Sequence, residues 1–337
     1  MGDPASIGPE IAVKALLNKK IHTMCRPILV GDASVFTDII DRLGLKASVN
    51  IIKSVKEAKY RFGHIDVFDL HNVAMEKLRF GEISAMAGNA AFEAVKKVIE
   101  LAMAREIDAT VTGPINKKSI NEAGHHFAGH TEIYAQLTGT KKYAMLLVED
   151  NLRVIHVSTH VSLRQACDLV KKDRILEVID LLYDGLISLG ITNLKIGVAG
   201  LNPHAGDNGL FGTEDDQEIL PAVEEAKLRG YDVEGPVPPD TLFAKAATGA
   251  YGGIVAMYHD QGHIPFKLSG FKWDAQKKQM ASVKGVNITM GLPIIRTSVD
   301  HGTAFEIAGK GVASADAMVL AIESAVQLSA YKKQIFV

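Results

Sequence analysis

The stretch GIVAMYHD, residues 253–260, decides how the chain is read. Gly253 to Met257 is a short, uninterrupted apolar run, which reads as a strand. A polar cluster, Tyr258-His259-Asp260, follows without a break. Working outward, the same pairing recurs. Asp108 to Thr112 leads into Thr112-Gly113-Pro114, Leu152 to Val157 into Ser158-Thr159-His160, and Leu194 to Ala199 into Leu201-Asn202-Pro203-His204. Further strand-like runs lie at Pro27 to Gly31, Ile65 to Leu70 and Ala144 to Val148. Helical patterns separate them: Pro9 to Leu17, Ser84 to Ala104, Arg174 to Leu189, Asp215 to Arg229 and Ser314 to Leu328. In the second of these, Ala85, Ala91, Val95, Val98 and Ala102 recur at helical spacing. Strands alternating with helices predict an α/β fold. Open α/β sheets bind ligands at the carboxyl ends of their strands, so the histidines fall where ligand chemistry is expected.

A chain of 337 residues exceeds the size at which one core stops growing, so two domains are expected. Lys plus Arg number 37 against 39 Asp plus Glu, which leaves no basic stripe for nucleic acid. No apolar run approaches a membrane span, and no basic-then-apolar leader opens the sequence. Cys25 and Cys167 stand far apart and form no disulfide framework; both read as small buried apolar residues. A cytoplasmic location without nucleic-acid or membrane partners is the expectation.

His160, His204 and His259 occupy equivalent positions, each just past an apolar run. Three imidazoles with an open fourth position suit a catalytic divalent metal. Each alone reads as well as a loop-capping hydrogen bonder; their common placement argues for one shared site. His125, His126 and His130 form a rival cluster, but Gly124 and Gly129 disfavour a helix there and no HExxH pattern exists. Neither GxxxxGK nor GxGxxG occurs. Gly2 to Glu10, GDPASIGPE, is a turn feeding a helix start, which suits either an anion or an ordinary cap. Lys117, Lys267 and Arg296 are cations in or beside Gly/Pro-rich segments. Asp240, after Pro238-Pro239, reads as a helix N-cap or as a catalytic carboxylate. No GxSxG elbow supports serine hydrolase chemistry.

Gly2 to Glu10, Gly129-His130-Thr131-Glu132, Leu201 to Gly206, Tyr258 to Gly262 and the run VNITMGLPIIRTSVDHGTAFEIAGKG from Val286 to Gly311 together resemble the 4-hydroxythreonine-4-phosphate dehydrogenase family. The resemblance covers essentially the whole chain. A branch of that family oxidises D-threonate or D-erythronate 4-phosphate, and the segment through Asn89 looks somewhat closer to it. The resemblance implies two interleaved α/β domains like those of isocitrate and isopropylmalate dehydrogenases. Residues 1–128 with 301–337 would form the outer domain. Residues 129–300 would form the middle domain, with the dimer interface and metal-binding loops. It implies a homodimer with a shared active site, where His160, His204 and His259 bind one divalent ion, Zn, Co, Mg or Mn, using ligands from both subunits. His130, Thr131, Lys267, Asn287 and Arg296 would hold the small phosphorylated hydroxy acid. Asp240 and Lys117 are the catalytic candidates. His301-Gly302-Thr303-Ala304 would be the NAD loop, which explains the missing GxGxxG.

The chemistry so implied is NAD-dependent oxidation and decarboxylation of a 4-phosphorylated 3-hydroxy acid, with Asp240 or a water on the metal as base. The substrate is 4-hydroxy-L-threonine 4-phosphate, as in pyridoxal phosphate biosynthesis, or alternatively an acid-sugar phosphate giving dihydroxyacetone phosphate and carbon dioxide. Three features depart from the family pattern. A strand usually precedes Gly2-Asp3-Pro4, so here it lies upstream or the sheet lacks an edge element. Ser6 stands where Gly is frequent. Leu268 to Lys284, with Trp273, is longer than usual and reads as a solvated loop or a lid. A phosphatase or lyase on the same sugar phosphates, and a non-catalytic phosphosugar binder, are the rival classes; three retained histidines speak against the second.

Overall fold

In a computed structural model, which describes residues 1–274 and 279–335, strands and helices alternate as the sequence predicts, and the chain is α/β. In chain order the strands are β1 (Leu29–Gly31), β2 (Ser48–Ile52), β3 (His64–Asp69), β4 (Ala109–Thr112), β5 (Ala144–Glu149), β6 (Leu152–His156), β7 (Ile196–Ala199), β8 (Val233–Val237), β9 (Gly253–Ala256), β10 (Phe271–Asp274), β11 (Gln279–Val283), β12 (Val286–Met290) and β13 (Ile295–Val299). Contacts divide the chain into two units, each built from separated segments: residues 1–140 with 292–329, and residues 141–291 with 330–337.

In the first unit β1, β3 and β2 form a parallel sheet, and β13 pairs in parallel with β4. Ile11, Val13, Phe36, Ile39 and Val67 are fully buried in its core. Ser84 accepts from the Ala87 N–H at 3.2 Å and starts the Ala85–Met103 helix. Gly88 in that helix lets the Lys117–Glu122 helix approach: a Cβ there would lie 2.0 Å from the Ser119 carbonyl oxygen. The Gly2 to Glu10 motif is buried and serves as a tie rather than an open anion cradle. Asp3 N–H donates to Pro114 O at 2.9 Å and Ile7 N–H to Thr303 O at 3.2 Å. Ser6 Oγ takes the Gly8 N–H at 2.9 Å, fixing the turn that leads into the Gly8–Leu16 helix. The Glu10 carboxylate receives the Gly311 and Ala313 N–H groups.

In the second unit the strand order is β12-β5-β6-β9-β7-β8. β5 is antiparallel to both its neighbours, while β6, β9, β7 and β8 run parallel. β7 and β9 are buried at every residue, the mark of a parallel sheet covered on both faces. Gly253 leaves room for Leu182 of the Lys172–Ser188 helix, 2.8 Å from where a Cβ would stand. Leu242, Phe243 and Ala246 of the Pro239–Ala247 helix join the core built on these strands.

Three sequence expectations need correction. Leu268 to Lys284 is more than a solvated connection: β10 pairs antiparallel with β11, from Phe271↔Val283 to Asp274↔Gln279. The tip, residues 275–278, lies outside the described residues. Cys25 and Cys167 are half-buried rather than buried: Cys25 ends a short helix and packs on the rim of the first unit's core, and Cys167 lies in the Leu163–Leu169 helix, where only Ala166 is buried. Asp240 is not an N-cap: Pro238 occupies that position and Asp240 sits inside the first turn, where its charge still complements the helix dipole. Among the described residues no helix is long and apolar enough to cross a membrane.

Candidate active site

The second unit collects candidate residues through its strand order. Register pairs His156 of β6 with Ala256 of β9, Val198 of β7 with Val255, and Ala199 with Val237 of β8. These four parallel strands therefore end side by side. The chain then delivers His160 after β6, His259 after β9, His204 after β7 and Asp240 after β8. Neighbouring parallel strands make one carboxyl edge, the place where such sheets bind ligands.

Buried polar side chains hold that edge. Gln261 accepts from the Met257 N–H at 2.7 Å and donates to Gly200 O at 2.8 Å, tying the ends of β9 and β7 together. Asp215 is fully buried and accepts the Leu201 and Asn202 N–H groups at 2.8 and 3.1 Å. It steadies a loop in which His204 and Ala205 both have left-handed backbone, with φ of 55° and 53°. That conformation costs about 1–3 kcal/mol per residue bearing a Cβ and clusters at functional loops. Sequence reading assigned no role to Gln261 or Asp215. A buried amide inside the HDQG motif was the available signal for the first.

His160 and His259 come together, with ring centres 5.9 Å apart. Two imidazoles on one tetrahedral ion, with metal–nitrogen distances of about 2.0–2.1 Å, put their ring centres about 5–6 Å apart. The pair fits a shared ion. The His259 Nδ1 lies 2.7 Å from Asp260 Oδ1, which orients the ring and leaves Nε2 to donate. The His204 ring packs 6.2 Å from Phe211. Among the described residues no three His, Cys, Asp or Glu side chains are grouped to hold a metal. Two unassigned histidines stand behind His259. His263 stacks on it at 3.7 Å, and His156 lies 4.8 Å beyond His263. Burial, then nearby imidazoles, pulls their pKa values down, to about 4 for His263 and about 3 for His156.

Two further candidates in this unit sit elsewhere. Lys267 lies in the last turn of the His259–Gly270 helix, eight residues and so about 12 Å of rise beyond His259. Its ammonium is 5.6 Å from the Phe271 ring. Asn287 is the second residue of β12, opposite Leu147 of β5.

In the first unit Arg296 stands on β13 opposite Thr110 and is 2% exposed. Its guanidinium donates to Thr112 Oγ1 at 2.9 Å and lies 5.6 Å from the centre of the Tyr134 ring. Burial lowers its pKa to about 10, so it stays charged at neutral pH. The Tyr134 hydroxyl donates to Thr110 Oγ1 at 3.0 Å, and burial raises its pKa to about 12. His130 begins the His130–Thr138 helix, and its Nε2 is buried with no hydrogen-bond partner among the described residues. Burial, reinforced by the positive charge of Arg296, keeps its imidazole neutral well below its ordinary range. Thr131 follows on the helix and is half-buried. Lys117 is exposed, and its Cε lies 4.0 Å from where a Gly129 side chain would begin. Together these form a neutral donor or acceptor beside a desolvated cation, a composition suited to a phosphate or carboxylate.

His301 to Ala304 follow β13 as a loop. Burial lowers the His301 pKa, and its Nδ1 lies 3.0 Å from Gly302 O. Ala304 is left-handed with φ of 43°, and none of the described residues stands within 4 Å of where a Gly302 side chain would be. Open backbone at a glycine fits close approach by a flat or phosphorylated cofactor. The rival histidines are otherwise engaged: His125 stacks on Phe92 at 3.7 Å, and His126 contacts Asn121.

The family described as "Pyridoxal phosphate biosynthetic protein PdxA" matches residues 23–325. The chain is 46% identical to a protein of Oceanobacillus iheyensis named "Putative D-threonate 4-phosphate dehydrogenase", across 98% of this chain and 97% of that one. A crystal structure of 4-hydroxythreonine-4-phosphate dehydrogenase from Klebsiella pneumoniae matches with a TM-score of 0.83 and 42% identity, covering 98% of each chain. A 4-hydroxythreonine-4-phosphate dehydrogenase from Burkholderia phymatum matches with a TM-score of 0.80 and 42% identity, over 97% of this chain and 96% of that one.

Proposed function

The chain belongs to the PdxA family and is an oxidoreductase of the dehydrogenase kind, and from that premise we propose that it oxidises the 3-hydroxyl of a four-carbon acid 4-phosphate with NAD. The observation that carries the reading is the single carboxyl edge at which β6, β9, β7 and β8 present His160, His259, His204 and Asp240. D-threonate 4-phosphate is the substrate favoured by the naming of the curated relatives at 44–46% identity. 4-Hydroxy-L-threonine 4-phosphate is the second reading, favoured by the naming of solved structures at 42% identity.

His160, His204 and His259 would hold a divalent ion; imidazole donors favour Zn or Co over Mg or Mn. Since one described chain groups only two of the three, a second copy in a homodimer completes the set. The ion, when bound, supplies Lewis-acid chemistry that eases loss of a hydroxyl proton. Asp240 accepts that proton, and Lys117 supplies a positive charge for the intermediate. His301 to Ala304 would hold NAD, which when bound would supply the acceptor for the C3 hydride. The 3-keto acid then loses carbon dioxide, and the C2 of the resulting enolate takes a proton, from Asp240 or water, so that D-threonate 4-phosphate gives dihydroxyacetone phosphate. Arg296, with neutral His130 and Thr131 on the same unit, would hold a phosphate or carboxylate of the substrate; Lys267 and Asn287 remain candidates for substrate contact by the family resemblance alone. NADH formation from D-threonate 4-phosphate by purified protein tests the reading. Phosphate release without NADH would mark a phosphatase and overturn it.

A further inference from the structure

The three histidines of the proposed metal set do not exhaust the imidazoles at that edge. His259, His263 and His156 form a column running from the half-buried surface into the core. His263 lies face to face with His259, ring centres 3.7 Å apart and planes within 10°. Its Nδ1 is 3.0 Å from His259 O, and a carbonyl can only accept, so Nδ1 carries the proton. His156 supports the column from below. Its ring is 1% exposed, is tilted 40° to that of His263, and has Nδ1 3.3 Å from Met145 O. Gly262 lets the helix seat there, because a Cβ at that position would lie 2.3 Å from His156 Nε2.

Two constraints therefore act on the His259 ring. The Asp260 carboxylate at Nδ1 sets its rotation within its own plane and its tautomer. The flat face of His263 sets the plane itself. A ring held in both respects points its Nε2 in one direction before any ion arrives. Parallel stacked rings cannot both aim a nitrogen lone pair at one ion, so His263 supports its neighbour rather than joining the donor set.

We propose that His263 is a positioning residue, which fixes the plane of His259 so that its Nε2 meets the divalent ion without reorganisation. This rests on the assignment of His259 as a metal ligand. Loss of groups that orient a metal-ligating histidine weakens metal binding by about 10–100-fold. His263→Leu removes the flat face, whereas His263→Phe keeps it.

The test is a titration of the full-length, metal-stripped protein with cobalt(II) and no substrate, followed by visible absorbance, for the unsubstituted chain and both variants. Thermal midpoints measured alongside confirm that each variant is folded. The expected result is stoichiometric cobalt binding by the unsubstituted chain, affinity within about 3-fold for His263→Phe, and a 10–100-fold loss with an altered spectrum for His263→Leu. Unchanged affinity and spectrum in a folded His263→Leu would overturn the proposal while leaving the metal assignment standing. Equal losses in both variants would assign the effect to the ring nitrogen and overturn it as well. No cobalt uptake by the unsubstituted chain would overturn the metal reading and the proposal together.

Discussion

Replacing Arg296 by Met should make the protein more stable and nearly inactive. The side chain is 2% exposed and its pKa is drawn down to about 10, by desolvation first. A shift of one unit corresponds to about 1.4 kcal/mol, so holding this charge in the fold costs about 3 kcal/mol. The variant gives up the bond to Thr112 and the attraction of Glu132, together a loss of about 1–2 kcal/mol, and keeps an unbranched side chain over the Tyr134 ring. The net expectation is a gain of about 1–2 kcal/mol, a rise of a few degrees in thermal midpoint for a chain of this size. Function moves the other way. A charge-assisted hydrogen bond is worth about 1.5–3 kcal/mol, and a guanidinium fork makes two, so kcat/KM should fall about 10²–10⁴-fold. Calorimetry with and without inorganic phosphate reads both limbs. Phosphate at ten times its Kd should stabilise the unsubstituted protein by about 1.4 kcal/mol and leave Arg296→Met unmoved. A variant destabilised by more than about 1 kcal/mol, or one that keeps the phosphate shift, would show that Arg296 is a structural tie and refute the reasoning.

Acid should weaken the fold through His156. Its folded pKa of about 3 lies below the ordinary 6.5, so the unfolded chain binds the extra proton between those values. Stability contributed by the neutral ring is therefore present above pH 6.5 and lost as the pH falls toward 3. His156→Phe should flatten the slope of unfolding free energy against pH in that window by up to one proton; identical slopes would contradict the assignment. Gly88→Ala should destabilise by about 1–3 kcal/mol despite the better helix propensity of alanine, because its Cβ would meet the Ser119 carbonyl at 2.0 Å. A raised midpoint would mean the two helices can part without cost. Asp215→Ala should loosen the His204 loop, seen as faster amide exchange at Leu201 and Asn202, whose N–H groups lose their acceptor.

The class of fold and the placement of three histidines past apolar runs were legible because both depend on local pattern. Strand adjacency was not. β6, β7 and β9 are alike in composition, and which lies beside which depends on long-range packing that no local window contains. That order is what turns three scattered loops into one edge. The division of the phosphate candidates was hidden for the same reason: Arg296 and Lys267 are comparable cations in sequence, yet one is buried on a strand and the other half-exposed at a helix end. His156 left a faint signal, a histidine inside the apolar run Leu152 to Val157, where only a packing role or a site would tolerate it. His263 stands four residues after His259, the spacing of one helical face, but the helix beginning at His259 was not anticipated. β10 and β11 were missed because no apolar alternation or two-residue turn signal marks them.

The most direct measurement is NAD reduction by metal-stripped protein offered D-threonate 4-phosphate, D-erythronate 4-phosphate and 4-hydroxy-L-threonine 4-phosphate, before and after a divalent ion is restored. NADH should appear only with the ion present, most rapidly from D-threonate 4-phosphate. Turnover that is indifferent to the ion, or no NADH from any of the three once zinc or cobalt has been returned, would contradict the proposed chemistry.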